Sequence, residues 1–222
     1  MYTIVFDTSA SGCNIALIKG TEIISSFSKL MDFGQSELLM PEIKNILEQN
    51  SIDFDCLSAL FVCVGPGSFT GVRSSISAAR VFAFAKPNLK VGGISAFDAY
   101  INTFKGQEVA DINAVIIETR REDFYVQFFD KHLQKISEPE AMMRDKIIEI
   151  LKNKGCMVSI IGDGVERFLS SPSGLCLHSI KMFDTLPITS LAKAGLKMLQ
   201  DKKLNYPKPL YLRAPDITLP KA

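Results

Sequence analysis

Residues 64–73 read VGPGSFTGVR, three glycines and a proline between an apolar run, Leu57 to Val64, and a helix-like run, Val72 to Ala85. Glycines at a strand-to-helix corner let a backbone approach a phosphate, and the free N–H groups of a helix start attract the anion. The same residues also make a tight turn, capped by Ser68 or Thr70, that needs no ligand. Known phosphate loops are not matched. Five positions after Gly65 stands Thr70, no lysine follows before Lys86, and Gly71 comes one residue late for the dinucleotide pattern. Asp7, at the end of the first apolar run, can hold Mg²⁺ or its waters beside a nucleotide, or it can cap the SASG turn that follows. Together with Thr8, Gly65, Gly67, Gly162 and Gly164 it forms the candidate site for ATP or ADP with Mg²⁺.

Other chemistry is sparse. His132 and His178 are 46 residues apart, no H-x-x-x-H exists, and no G-x-S-x-G elbow appears. Neither histidine has the neighbours of a catalytic triad. Arg120 and Arg121 fall at an expected hairpin tip, where they meet phosphate or simply solvate. The five cysteines show no C-x-x-C or zinc-like spacing, and most sit in apolar runs, which predicts buried, reduced thiols.

Strands are expected over 3–8, 13–18 and 22–28, joined by SASG and KGT turns. A helix follows over 36–49, with Ser36 as N-cap, Leu39, Ile43, Ile46 and Leu47 on one stripe, and a kink or later start at Pro41. Then come a strand (57–64), the glycine corner and a second helix. From residue 112 the order recurs: strands near 114–118, 123–130 and 133–137, a helix near 143–153, a strand at 157–161 and a helix near 189–203. The recurrence reaches single residues. Ile4-Val5-Phe6-Asp7-Thr8 is echoed by Val115-Ile116-Ile117-Glu118-Thr119, and Val64-Gly65-Pro66-Gly67 by Ile161-Gly162-Asp163-Gly164. An α/β fold of duplicated βββαβα lobes follows, with residues 1–108 and 109–222 as the two lobes and a cleft between them.

Composition sets the class. With 222 residues, 47% of them hydrophobic, the chain buries a sizeable core, and 25 basic against 24 acidic side chains give no overall field for nucleic acid or membrane. No apolar run approaches the roughly 20 residues of a membrane span, so a cytoplasmic protein is expected.

The helix after the glycine corner carries more information than the corner. Between Phe69 and Ala85 its only charges are Arg73 and Arg80. Gly71, Ser74, Ser75, Ala78 and Ala79 form a face of small side chains, and Val72, Ile76, Val81, Phe82 and Phe84 cover much of the rest. A helix apolar nearly all round is covered on both sides. Helix 189–203, taken as its counterpart, shows an ordinary solvated lysine face. The asymmetry predicts that helix 69–85, with helix 36–49 beside it, docks onto another chain, or else that other parts of this chain cover it. The predicted interface comprises Leu39, Ile43, Val72, Arg73, Ser75, Ile76, Ala79, Arg80 and Phe82.

VGPGSFTGVR, with the IVFDTS start, SELLMPEI, ETRREDFY and PLYLR, resembles the TsaB family, companion subunits of the machinery that installs threonylcarbamoyladenosine beside the anticodon of tRNA. The resemblance runs from Ile4 to about Ile217 and departs from the family pattern at Gln35 and Glu122, where a histidine and a glycine are expected. It implies the actin, Hsp70 and sugar-kinase (ASKHA) ATPase fold. It also implies a non-catalytic role: pairing through the first-lobe helices with a TsaD-like catalytic paralogue, joined by a TsaE-like ATPase, with tRNA engaged through the complex. A surface made for a homologous lobe can also self-pair into a homodimer. The alternative is a free-standing ATP-dependent kinase or acyl or carbamoyl transferase using the cleft. A glycoprotease label, used for some relatives, is disfavoured by the lack of paired histidines.

Overall fold

The structure, a computed structural model, describes residues 1–155 and 157–213. Two five-stranded sheets have the same plan. In the first, β1 (Tyr2–Asp7), β2 (Gly12–Lys19), β3 (Glu22–Leu30), β4 (Leu57–Cys63) and β5 (Lys90–Ile94) lie in the order β3-β2-β1-β4-β5. In the second, β6 (Ile112–Glu118), β7 (Asp123–Asp130), β8 (Glu140–Met143), β9 (Val158–Gly162) and β10 (Leu177–Met182) lie in the order β8-β7-β6-β9-β10. β1 pairs antiparallel with β2 and parallel with β4; β6 pairs antiparallel with β7 and parallel with β9. The repeat read from Asp7-Thr8 and Glu118-Thr119 is therefore a repeat of structure, an α/β duplication.

Helices fill the spaces in five layers. α1 (Gln35–Gln49) and α2 (Phe69–Ala85) cover one face of the first sheet, meeting Ile4, Phe6, Leu60 and Val62. α3 (Ala96–Ile101) and α6 (Ile188–Gln200) lie in the core shared by both sheets, against Val5, Phe61, Val115 and Ile117. α4 (Arg144–Asn153) and α5 (Val165–Phe168) close the outer face of the second sheet, over Ile116 and Ile160. Alternation along the central strands sends successive side chains to opposite layers, and because both faces are covered the strands read as continuous apolar runs. Among the described residues no helix is long and apolar enough to cross a membrane.

The structure corrects several expectations. Each half carries one more strand and helix than βββαβα: β5 and α3 in the first, β10 and α6 in the second. The counterpart of α2 is thus the four-residue α5, and α6 corresponds to α3. α6 does present the expected lysine face, with Lys193, Lys197, Gln200 and, just past its end, Lys203 exposed, and its other side buries Leu191, Ala192, Ala194 and Gly195. Segment 133–137 is no strand; the Asp130 carboxylate accepts from the amides of His132 and Gln134, which turns the chain, and a single bridge joins Phe129 to Lys135. The third strand of that half is β8. Helix α1 begins at Gln35 behind left-handed Gly34, with no side-chain cap; Ser36 instead meets the Ser74 hydroxyl at 2.6 Å, and Pro41 sits within the helix. Cys56 and Cys176 are exposed, while Cys13 and Cys63 are buried and burial pushes the Cys13 thiol up to about 12. Cys156 lies outside the described residues.

Candidate functional site

Both glycine corners are shaped by the chain's own backbone. A Cβ on Gly71 would sit 1.8 Å from the carbonyl oxygen of Thr8, and one on Gly67 would sit 2.3 Å from that of Ser9. Only glycine lets the start of α2 press this closely on the turn after β1. Polar contacts tie the joint. The Ser9 carbonyl accepts from the Ser68 amide at 2.7 Å, the Thr8 hydroxyl donates to the Gly71 carbonyl at 2.7 Å, and the Thr8 amide donates to Ser75 Oγ at 3.1 Å. Ser68 caps the helix by accepting from the Gly71 amide at 3.3 Å. The second corner repeats the design: a Cβ on Gly162, whose φ is +139°, would lie 2.0 Å from the Ile116 carbonyl, and Gly164 approaches the Glu118 amide. Close packing accounts for these glycines, as the tight-turn reading expects, and their geometry requires no phosphate.

Asp7 is fully buried. Its Oδ1 accepts from the Ser9 amide at 2.8 Å and the Ser9 hydroxyl at 2.5 Å, so it caps the turn; Oδ2 has no partner. Burial pushes its carboxyl up from the ordinary range, against the Ser9 hydrogen bonds. Glu118, its counterpart, faces a cation. Burial opposes its ionisation, but the Arg167 guanidinium, donating to both carboxylate oxygens at 2.7 Å, and the Arg120 amide hold it below the usual value. Arg167 also lies 3.8 Å from the Phe124 ring centroid.

A cavity of about 570 Å³ opens between the lobes. Its wall includes Ser9, Gly67, Ser68, Tyr100, Glu118 and Asp163 but not Asp7. Asp163 accepts from the Glu118 amide at 3.0 Å, and burial pushes its carboxyl up to about 7. The neighbouring Tyr100 hydroxyl is buried without a well-formed hydrogen bond; burial, then the charges of Asp163 and Asp7, push its pKa far up. Among the described residues no three His, Cys, Asp or Glu side chains group as a metal site.

Two arginines cross the mouth. Arg120, in a left-handed conformation (φ 56°), donates to Asp32 Oδ1 at 2.6 Å and Ser11 Oγ at 3.0 Å on the first lobe, so an arginine read as either meeting phosphate or solvating joins the lobes. Arg213 pairs with Asp123 of the second lobe and lies 5.3 Å from the Tyr125 ring centroid. Arg213 belongs to a strap, described over residues 204–213, that follows α6 back over the first lobe. There the Gly93 amide donates to the Asn205 carbonyl and the Leu210 amide to the Val64 carbonyl, each at 2.8 Å. Leu210, Tyr211, Leu212 and Arg213 line the cavity.

The family model described as "TsaD: tRNA N6-adenosine threonylcarbamoyltransferase" matches residues 34–173. The chain belongs to this family. Among its relatives are TsaB proteins. It is 25% identical to the tRNA threonylcarbamoyladenosine biosynthesis protein TsaB of Escherichia coli over 96% of this chain and 95% of that one. The TsaB of Haemophilus influenzae is 29% identical over 95% of this chain and 92% of its own. Among solved structures, YeaZ from Pseudomonas aeruginosa superposes with a TM-score of 0.80 at 17% identity, covering 95% of this chain and 99% of that one. The ADPNP-bound activator of the 2-hydroxyisocaproyl-CoA dehydratase from Clostridium difficile superposes with a TM-score of 0.51 at 11% identity over 92% and 99%. Both likenesses establish the fold, the actin-like ATPase type expected for TsaB.

For this TsaB-family chain the predicted docking residues divide. Leu39, Ile43, Val72, Ser75, Ile76 and Ala79 are buried within the monomer and form no outer surface. α1 and α2 turn that side onto the first sheet, and Ser75 and Gly71 serve the joint with Thr8. Phe82 is half-buried, its ring 5.0 Å from that of Phe54. Arg73 and Arg80 are exposed yet engaged by the strap. Arg73 donates to the Tyr211 hydroxyl at 3.1 Å beside Phe69, and Arg80 donates to the Pro207 carbonyl at 2.9 Å. What α2 leaves to solvent is the adjoining stripe, with Ser77, Val81 (62% exposed) and Phe84 (89%). The sequence pattern missed Arg167, Tyr100 and the strap contacts, because each joins segments far apart in the chain. PLYLR was the one visible trace of the strap.

Proposed function

We propose that the chain is a non-catalytic scaffold subunit of the complex that forms threonylcarbamoyladenosine in tRNA, and that it pairs with a TsaD-like catalytic paralogue through the exposed stripe of α2 and the adjoining side of α1. A TsaE-like ATPase completes the assembly. The observation that carries this reading is the apolar stripe itself: Val81 and Phe84 lie open to water on a helix whose only charges are held by the strap. Exposed large apolar side chains in one line mark an interface. The names of the TsaB relatives, all of tRNA threonylcarbamoyladenosine biosynthesis, support the pathway.

The test is co-purification of the TsaD-like paralogue with the tagged chain and with its Val81→Asp/Phe84→Asp variant. Capture by the wild type is expected to fall at least about tenfold in the variant, since two buried carboxylates have no partners in an apolar contact, while the melting temperature stays unchanged. Undiminished capture in the variant, or threonylcarbamoyl transfer by the chain alone, overturns the reading.

A further inference from the structure

The opposite side of the first sheet carries a second surface of different character. α6 buries Leu191, Ala192 and Ala194 and leaves Lys193 and Lys197 exposed one turn apart. It packs against the short turn Asn102–Phe104, and exposed Lys105 follows that turn directly. Lys181 reaches the same turn from β10. Its ammonium donates to the Thr103 carbonyl at 2.9 Å and to Gln107 Oε1 at 2.6 Å, 4.5 Å from the Phe104 ring centroid. After α6 the chain continues through exposed Lys202 and Lys203.

Lys193 and Lys197 stand close enough to Lys105 for their charges to bear on it. Burial first, then the charges of Lys197 and Lys193, hold the Lys105 ammonium below its ordinary value, with Asp201 opposing. The dipole of α6 favours Lys197, Lys202 and Lys203 at its C-terminal end, but it gives no reason for Lys105, Lys181 or Lys193. In a chain of net charge +1 such a concentration is local, and a polyanion laid across it relieves the repulsion.

We infer that the surface formed by Lys105, Lys181, Lys193 and Lys197 binds the phosphodiester backbone of RNA directly. The inference rests on the tRNA reading above and deepens it, giving this chain its own RNA contact. Lysines on flexible stems suit phosphate oxygens as point charges and read no base, so the contact positions RNA without selecting sequence. α6 and the pair α1–α2 lie on opposite faces of the first sheet, so RNA and a protein partner can be held together.

The test is fluorescence anisotropy of a labelled, unmodified tRNA transcript titrated with the full chain, between about 50 and 200 mM salt. In the Lys105→Gln/Lys193→Gln/Lys197→Gln variant affinity is expected to fall about tenfold or more, and the log–log salt slope to become shallower by about 2–3. Melting temperature and capture of the TsaD-like paralogue are expected to stay unchanged. A Lys44→Gln/Lys152→Gln/Lys154→Gln variant, altered elsewhere on the surface, is expected to bind as wild type. Unchanged tRNA binding in the first variant overturns the proposal, as does an equal loss in the second. Wild-type binding to poly-L-glutamate as tight as to tRNA, lost in the same first variant, overturns it in favour of an acidic peptide. Paralogue capture is read separately, so failure of the scaffold reading and failure of the RNA surface are distinguishable.

Discussion

Replacing Gly71 with alanine discriminates between a packing corner and a phosphate loop. The new methyl would lie 1.8 Å from the Thr8 carbonyl oxygen and 2.8 Å from its carbon, both backbone atoms at the buried end of β1. Neither can rotate away. α2 must therefore retreat by more than an ångström, which breaks the Thr8 hydroxyl to Gly71 carbonyl bond and stretches the bonds of Ser75 to Thr8 and of Ser68 to Ser9. Overpacking of a tight core costs roughly 1–3 kcal/mol, and each buried hydrogen bond lost about 1 kcal/mol more. The expected destabilisation is about 4 kcal/mol. For a chain of this size that lowers the melting temperature by roughly 8–16 °C in scanning calorimetry. Ser75→Ala, which removes the acceptor of the Thr8 amide without adding volume, is expected to cost about 1–3 kcal/mol. A Gly71→Ala protein melting within about 2 °C of wild type refutes the close-packed joint, and if that variant also loses nucleotide binding, the glycine serves a phosphate instead.

Other outcomes follow from the same geometry. Asp163, raised to about 7 from 3.8, favours the fold in its protonated form, so its contribution is complete below about pH 4 and disappears as pH rises through 7. The full span is worth up to about 4 kcal/mol. Asp163→Asn, which keeps the acceptor for the Glu118 amide, is expected to flatten the decline in denaturation midpoint between about pH 4 and 7, and to exceed wild type in stability at the upper end; parallel curves would count against the assignment. Ser75→Arg and Ala79→Arg place a long cation at fully buried positions, so both are expected to unfold the chain, seen as lost near-ultraviolet circular dichroism, and not merely to block partner capture.

The sheets were legible because two-sided burial writes each central strand as an unbroken apolar run ending in a turn, as in Ile4–Phe6 before Asp7 and Val115–Ile117 before Glu118. The duplication was legible for the same reason. β5 was hidden because its middle, Gly92-Gly93, lacks the side chains that mark a strand: Phe61 and Pro207 occupy the space their Cβ atoms would need. β10 was hidden by its alternation of half-buried and exposed residues at a sheet edge. The apolar and small-residue character of α2 read as a helix covered on both sides; within the monomer one side is covered, and Val81 and Phe84 on the other are exposed. It could not say that the covering side was Thr8, since that pairing joins residues 67 apart. The cavity acids were visible as types, but the burial that moves Asp163 arises only when Tyr100 and both lobes are assembled.

The strap imposes an order on how the molecule is made. β5 and the end of β4 receive their outer hydrogen-bond partners from Asn205 and Leu210, and Phe61 receives Gly195 of α6. A ribosome delivers those residues about a hundred positions after Ile94, so the first sheet waits with a bare edge until the strap is made. Until the strap is translated, the nascent first lobe carries an unpaired strand edge to which another chain can add.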